Sequence, residues 1–207
     1  MQELLVVEVI PREKGRTSIR FDNGMEVLLY KGEVRKLSLR EGTVISQEKY
    51  DEIIYEILGT RAKKRAMFLL ERMDRTEHQL REKLMQNGYP DVCVDLAVEY
   101  VRKYHYIDDL RYATTYISYH QKKKSRQKLK MDRMAKGIEK SVIEQALDEV
   151  FDSDEQLKIR QLLEKKHYEP KECDRKEQQK IYQYLMRRGF KSSDILHVMK
   201  IWDEYEE

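Results

Sequence analysis

The sequence predicts a mainly α protein built from three tandem three-helix repeats in an elongated array, preceded by a small β-rich N-terminal extension. The main observation is a pattern that recurs about fifty residues apart and is centred on Gly88, Gly137 and Gly189. Each glycine follows a large aliphatic residue at position −8 and a methionine at −3, and precedes a bulky apolar residue. Apolar residues then recur at +6, +9, +10 and +13, ending in the third copy at Trp202. A regular period of this length is typical of a helical repeat array.

The first 45 residues predict strands rather than helices. Residues 4–10 form a β-branched run that ends at Pro11, and two further apolar runs flank Asn23-Gly24. This pair can take the positive φ angles of a two-residue hairpin turn. Residues 34–39 and 43–45 are candidates for one or two more strands. We therefore predict a small antiparallel sheet over residues 1–45.

Everything after residue 45 is predicted to be helical. Ser46 is the expected N-cap of a connecting helix over residues 46–61, which Gly59 is expected to stop or bend. Three repeats follow, over residues 62–107, 108–152 and 153–207. Their helix starts are indicated by capping residues, namely Thr76 with Gln79, Asp108 with Asp109, Ser153 with Gln156, and Asp174 with Glu177. The second helix of each repeat ends at its glycine, which takes a left-handed conformation at little steric cost.

Charge is distributed unevenly along a chain whose formal net charge is only +3. Residues 111–140 contain ten Lys or Arg against Asp132 and Glu139, whereas residues 141–156 contain six acidic residues and no basic one. The basic segment joins the first two helices of the second repeat, so it could present one positive surface to phosphates or to an acidic protein groove. A solvated helix face is the alternative. The candidate partner-binding residues are Lys122, Lys123, Lys124, Arg126, Lys128, Lys130, Arg133, Arg187 and Arg188.

Several function classes lack support in the sequence. The five histidines are scattered without metal-ligand spacing, and no glycine-rich phosphate loop is present, so we expect no metal, no cofactor and no enzymatic activity. Cys93 and Cys173 lie far apart, which fits reduced thiols. No apolar run is long enough for a membrane helix. We therefore expect a cytoplasmic protein without a membrane partner.

Three short motifs carry a resemblance to a known family. Asp74-Arg75-Thr76 precedes regularly spaced leucines, residues 107–113 read Ile-Asp-Asp-Leu-Arg-Tyr-Ala, and residues 136–138 read Lys-Gly-Ile. Together with the glycine repeat, they resemble the RecX family of bacterial RecA regulators over roughly residues 46–207. Asp108, Asp109 and Tyr112, with the three repeat glycines, are the structural motif residues that the resemblance identifies.

The resemblance implies a non-enzymatic modulator that forms an elongated, curved array and binds the RecA–single-stranded DNA filament. It implies inhibition of the recombinase, ATPase and co-protease activities of RecA. We expect a monomer whose partners are the RecA filament and, additionally, single-stranded or double-stranded DNA. Two alternatives stay open: a direct DNA-binding protein with helix-turn-helix-like repeats, and a helical scaffold for an unrelated protein.

The second repeat departs from the family pattern in two places. Arg133 occupies the position of Leu84 and Leu185 in the other repeats, and Lys123-Lys124-Ser125 stands where the family often has a glycine. We expect the neighbouring Met134 to take over the apolar contact of the missing leucine.

Overall fold

The computed structural model describes residues 3–152, 154–169 and 173–204, with the side chains described as far as Met199. The protein is mainly α with a small N-terminal antiparallel sheet, which confirms the predicted fold class. The chain divides into two compact units, Met1–Asp108 and Asp109–Glu207. No helix in the described part is both long enough and apolar enough to cross a membrane.

The sheet of the first unit has four strands in the order β3-β2-β1-β4. They are β1 (Glu3–Pro11), β2 (Arg16–Phe21), β3 (Glu26–Tyr30) and β4 (Val44–Ser46). All three pairings are antiparallel, as predicted. Successive side chains of β1 alternate between the core and solvent, with Leu4 and Val6 buried and Leu5 and Val7 exposed.

The hairpin between β2 and β3 has a loop of three residues, 22–24, closed by the pair Phe21 and Met25, so the predicted two-residue turn is wrong. Gly24 alone in this loop has a positive φ, of +82°. The Gly24 N–H donates to the Phe21 carbonyl at 3.0 Å, and the Phe21 N–H donates to the Met25 carbonyl at 2.9 Å. This is a tight turn closed by a glycine bulge. The Asn23 side chain accepts from the Met25 N–H at 3.0 Å, which stabilises the longer loop.

The strand predicted over residues 34–39 is also wrong, because helix α1 (Lys31–Lys36) begins there. The Glu33 carboxylate accepts a hydrogen bond from the Tyr30 N–H at 2.7 Å and thereby caps the start of the helix. Ser38 then turns the chain with a φ of +54°. Local capping therefore outweighs the β-branched residue Val34.

A long helical segment follows the sheet and has no break at Gly59. It comprises α2 (Gln47–Asp51), a π-helical segment (Glu52–Gly59) and α3 (Thr60–Arg72). Ser46 caps it as predicted, accepting from the Lys49 N–H at 3.3 Å. Gly59 has ordinary helical angles, so the predicted stop is wrong. A Cβ there would lie 3.2 Å from Leu96 Cδ1, so the glycine allows a close approach of the next helices.

The first repeat is completed by α4 (Glu77–Gln86) and α5 (Asp91–Lys103). Thr76 and Gln79 form the predicted capping box. Gly88 follows α4 with a φ of +86°, and a Cβ there would overlap Leu28 of β3. The sheet and the first repeat share one hydrophobic core, which includes Val6, Ile19, Leu29, Ile53, Leu80 and Val98. The β-rich extension is therefore packed as part of the first unit.

The second unit contains six helices in its described part. The second repeat has α6 (Asp109–His120), α7 (Arg126–Met134) and α8 (Lys140–Val150). The third has α9 (Glu155–Glu164), α10 (Arg175–Arg187) and α11 (Ser192–Glu204). Each repeat has its own core, and the predicted apolar stripe is buried in α8 at Ile143, Ala146 and Leu147 and in α11 at Ile195 and Val198.

One predicted helix cap of the second unit is confirmed and another is corrected. Asp174 caps α10, accepting from the Glu177 N–H at 2.7 Å. The cap of α9 is Asp154, which accepts from the Leu157 N–H at 2.8 Å, rather than the predicted Ser153. Ser153 lies outside the described residues, as does the side chain of Trp202.

Candidate partner-binding surface

The basic segment of the second repeat occupies the turn between α6 and α7 and the whole of α7. Ser125 caps α7, accepting from the Lys128 N–H at 3.1 Å, and Leu129 is fully buried in the core of the repeat. Lys122 and Lys123 are exposed in the turn. Helix α7 is therefore amphipathic, with Leu129 in the core and Arg126, Lys128 and Lys130 half-exposed.

Asp132 of α7 binds two of the predicted surface lysines, Lys124 in the preceding turn and Lys128 in the same helix. Its carboxylate accepts hydrogen bonds from Lys124 Nζ at 2.6 Å and from the Tyr116 hydroxyl at 2.8 Å. Lys128 Nζ lies 3.1 Å from its second oxygen. Burial alone would raise the pKa of Asp132, but the bonds from Lys124, Tyr116 and Lys128 outweigh it and lower the pKa to about 2. Asp132 is therefore ionised at neutral pH.

The acidic residues of α8 pair with the other predicted cations. Arg126 lies 3.0 Å from Glu144 and 2.7 Å from Asp148, and Lys130 also binds Glu144. The bonds from Lys130 and then from Arg126 lower the pKa of Glu144. The acidic stretch that follows the basic one in the sequence thus folds against it and neutralises part of its charge. The side chains of Arg126, Lys130 and Glu144 are half-exposed, and ion pairs this accessible to water contribute little stability.

Arg133 does not belong to the outer surface, because its side chain is only 4% exposed. Its guanidinium carbon lies 3.4 Å from the centre of the Tyr116 ring and 5.4 Å from that of Tyr112. Its buried Nε has no hydrogen-bond partner among the described residues. The expectation that Met134 takes over the apolar contact of the missing leucine is wrong, since Met134 is 50% exposed. Arg133 fills the leucine position itself, stabilised by the tyrosine faces.

The predicted basic residues of the third repeat, Arg187 and Arg188, lie near the start of α7. The Ser125 N–H donates to the Arg188 carbonyl at 3.0 Å, and the Ser125 hydroxyl donates to the Gly189 carbonyl at 2.7 Å. The Arg188 guanidinium packs 3.7 Å from the Tyr184 ring centre, and Arg187 is exposed. The carboxyl end of α10 and the amino end of α7 therefore form one continuous part of the surface.

A groove of about 780 Å³ runs beside these residues and was not predicted from the sequence. Two exposed methionines of α7, Met131 and Met134, line it together with Phe151. Charges of both signs surround them, namely Arg126, Lys130, Lys191, Glu144, Asp154, Glu155 and Asp194. Flexible, polarizable methionine side chains adapt to varied protein partners. The methionine at position −3 of the repeat was the only signal for this groove, and the spacing alone did not show that it faces outward.

The remaining motif residues have structural positions. Helix α6 begins at Asp109, directly after Asp108, and Tyr112 is partly buried against the core of the second repeat. Gly137 and Gly189 follow α7 and α10 with φ angles of +75° and +84°. These residues lie at helix ends or against the core of their repeat.

Comparison with known proteins covers almost the whole chain. Family models of the first, second and third three-helix domains of RecX match residues 62–100, 108–147 and 153–199. Regulatory protein RecX of Clostridium acetobutylicum is 29% identical over 199 residues, covering 94% of this chain and 93% of that protein. Regulatory protein RecX of Caldanaerobacter subterraneus subsp. tengcongensis is 30% identical, covering 93% and 96% respectively.

Solved structures share the fold. A crystal structure of regulatory protein RecX has a TM-score of 0.60 and 23% identity, covering 95% of this chain and 99% of that one. The RecX structure from Lactobacillus salivarius has a TM-score of 0.59 and 23% identity, covering 70% of this chain and 97% of that one. The domain matches, the full-length relatives and the three glycine-centred repeats agree: the chain belongs to the RecX family.

Proposed function

We propose that this chain is a non-enzymatic regulator of RecA that binds the RecA–single-stranded DNA filament and inhibits its recombinase, ATPase and co-protease activities. Membership of the RecX family supports a role in RecA regulation, and the observation that carries the proposal is the match of all three RecX three-helix domains in order. The protein acts in this proposal as a cytoplasmic monomer, with DNA as an additional partner.

The second unit offers a surface suited to a repeating, charged polymer. Lys122, Lys123 and Arg187 are exposed and have no ion pair in the described part of the chain. Arg126 and Lys130 stand beside the methionine-lined groove. Exposed cations steer a negatively charged partner towards the surface, and the groove supplies apolar area for a specific contact. We propose that α7 and the end of α10 contact the filament.

The contact is tested by co-sedimentation with RecA filaments assembled on single-stranded DNA. The variant Lys122→Glu/Lys123→Glu reverses two exposed, unpaired charges, so it weakens binding without disturbing the ion pairs of α7. The matched control is Lys176→Glu/Lys180→Glu, which makes the same charge change at two exposed positions of α10. We expect the first variant to bind at least about tenfold more weakly than the control at low salt. Equal binding of both variants would show that the basic turn is not part of the interface.

A further inference from the structure

A second surface, in the first unit, combines exposed rings with unpaired cations. A cleft of about 360 Å³ lies between α3 and α5. Its residues on α3 share one helical face, because they are spaced by three or four positions. They are Thr60, Lys63, Lys64, Met67, Phe68 and Glu71, and Tyr100 of α5 completes the cleft.

One ring of this surface, Phe68, is exposed, and the other, Tyr100, is half-buried against the core of the first unit. Phe68 is 39% exposed, and the guanidinium groups of Arg65 and Arg72 lie 5.2 and 4.3 Å from its ring centre. The Tyr100 ring centre is 5.8 Å from Lys63 Nζ and 4.9 Å from the exposed ring of Tyr104. The cleft and the end of α5 therefore present a series of aromatic faces.

The cations of α3 differ from those of α7 in their pairing. Arg61 pairs with Glu33, and Arg65 donates to the Asn87 side chain at 2.8 Å. Lys63, Lys64 and Arg72 form no ion pair with any described residue. Glu71 is the single carboxylate among the residues that line the cleft. The surface thus has a net positive charge that the protein itself does not neutralise.

We infer that the cleft between α3 and α5 binds single-stranded nucleic acid, with bases stacked on Phe68 and Tyr100 and phosphates held by Lys63, Lys64 and Arg72. Stacking on aromatic side chains beside a basic groove is how proteins bind single strands without sequence preference. Bases inside a duplex are stacked on each other and cannot reach such rings. An acidic peptide would form ion pairs with the cations, but it would have no aromatic groups to stack on the rings.

This site rests on the proposed function, in which DNA is an additional partner, and deepens it by placing a direct contact with the nucleic acid in the first unit. Its test contains no RecA, so its failure and the failure of the filament contact are separate results. The probe is a fluorescein-labelled thymidine 20-mer, and the readout is its fluorescence anisotropy when this chain is added. We expect a dissociation constant of about 1–100 µM near physiological salt.

Two variants separate stacking from charge. Phe68→Ala lowers affinity by about 5- to 150-fold, whereas Phe68→Trp keeps affinity, and the fluorescence of the introduced indole is quenched on binding. Lys63→Gln/Lys64→Gln reduces the slope of log K against log salt by about 1.4, the amount for two released phosphate contacts on a single strand. The matched control is Tyr119→Ala, which removes a ring on α6 that is 75% exposed, more than the 39% of Phe68, and leaves affinity unchanged.

Any of three results overturns the inference. The first is wild-type affinity in both Phe68→Ala and Lys63→Gln/Lys64→Gln. The second is a 20-base-pair duplex that competes as well as the unlabelled single strand, because a stacking site must prefer unpaired bases. The third is equal competition by poly-glutamate: if poly-glutamate of the same charge displaces the labelled oligonucleotide as well as the unlabelled strand does, the cleft binds acidic protein segments.

Discussion

The contact between the third glycine and α7 gives the sharpest stability prediction. Gly189 has a φ of +84°, and a Cβ built there lies 2.6 Å from Lys128 Cβ and 2.7 Å from the Ser125 hydroxyl. It also lies 3.3 Å from Lys128 Cα, so backbone and not only a flexible side chain must move. The variant Gly189→Ala therefore forces the end of α10 away from α7.

The expected cost follows from the individual contributions. A left-handed alanine costs roughly 1–2 kcal/mol, overpacking about 1–3 kcal/mol, and the lost Ser125–Gly189 hydrogen bond about 1 kcal/mol. Alanine also makes the unfolded chain less flexible, which offsets about 0.4–1 kcal/mol of the destabilisation. Gly189→Ala should therefore destabilise the second unit by about 4 kcal/mol. The control is Gly24→Ala, with a φ of +82° and no heavy atom within 4 Å of the added Cβ. Gly24→Ala has only the cost of the left-handed conformation, so it should destabilise the first unit by about 1 kcal/mol.

Hydrogen exchange followed by mass spectrometry measures both changes, because it reports each unit separately. In Gly189→Ala, the slowest amides of α7 and α10 should lose protection by two to three orders of magnitude. In Gly24→Ala, the amides of β2 and β3 should lose about tenfold or less. Protection of α7 and α10 within threefold of the wild type in Gly189→Ala would refute the packing of α10 against α7.

Three further predictions concern buried or paired groups. Asp132→Asn should destabilise the second unit by about 1–2 kcal/mol at pH 7, because the lowered pKa corresponds to about 2 kcal/mol before solvent screening. The folded pKa of about 2 lies below the unfolded value of 3.8, so this difference should vanish in urea titrations as the pH falls from about 4 to about 2. Arg133→Leu should change urea stability by less than about 1 kcal/mol, since the lost tyrosine contact is offset by removal of a buried unpaired Nε; filament binding should not change. Cys93 is buried and its pKa is raised to about 11 by burial, so Ellman's reagent at pH 8 should label it only after denaturation, unlike Cys173.

The repeats were predictable because the same residue pattern reflects both which helix positions are buried and where each helix ends. Buried positions such as Ile143 and Ala146 recur at helical spacing, and the glycines after α4, α7 and α10 need a left-handed conformation. Capping residues such as Thr76 act through adjacent backbone groups, so their effect is local and visible in sequence. Fold class and helix starts therefore followed directly from the residues.

Features that depend on distant partners could not be predicted in this way. Gly59 resembles a helix stop, but its role is set by Leu96 on another helix. Arg133 resembles part of a basic surface, yet the ring of Tyr116 makes it a buried residue. The cations of α7 are adjacent in the sequence, but the pairing of Arg126 with Glu144 and Asp148 depends on how α8 packs. The cleft of α3 was missed because its rings and cations come together only through the contact with α5.

The measurement that most directly tests the proposed regulation is the rate of ATP hydrolysis by the RecA of the same organism on circular single-stranded DNA. Added at well below one molecule per RecA, the wild-type protein should slow hydrolysis, and Lys122→Glu/Lys123→Glu should require a higher concentration for the same effect than Lys176→Glu/Lys180→Glu. An unchanged rate at one wild-type molecule per RecA would contradict the account.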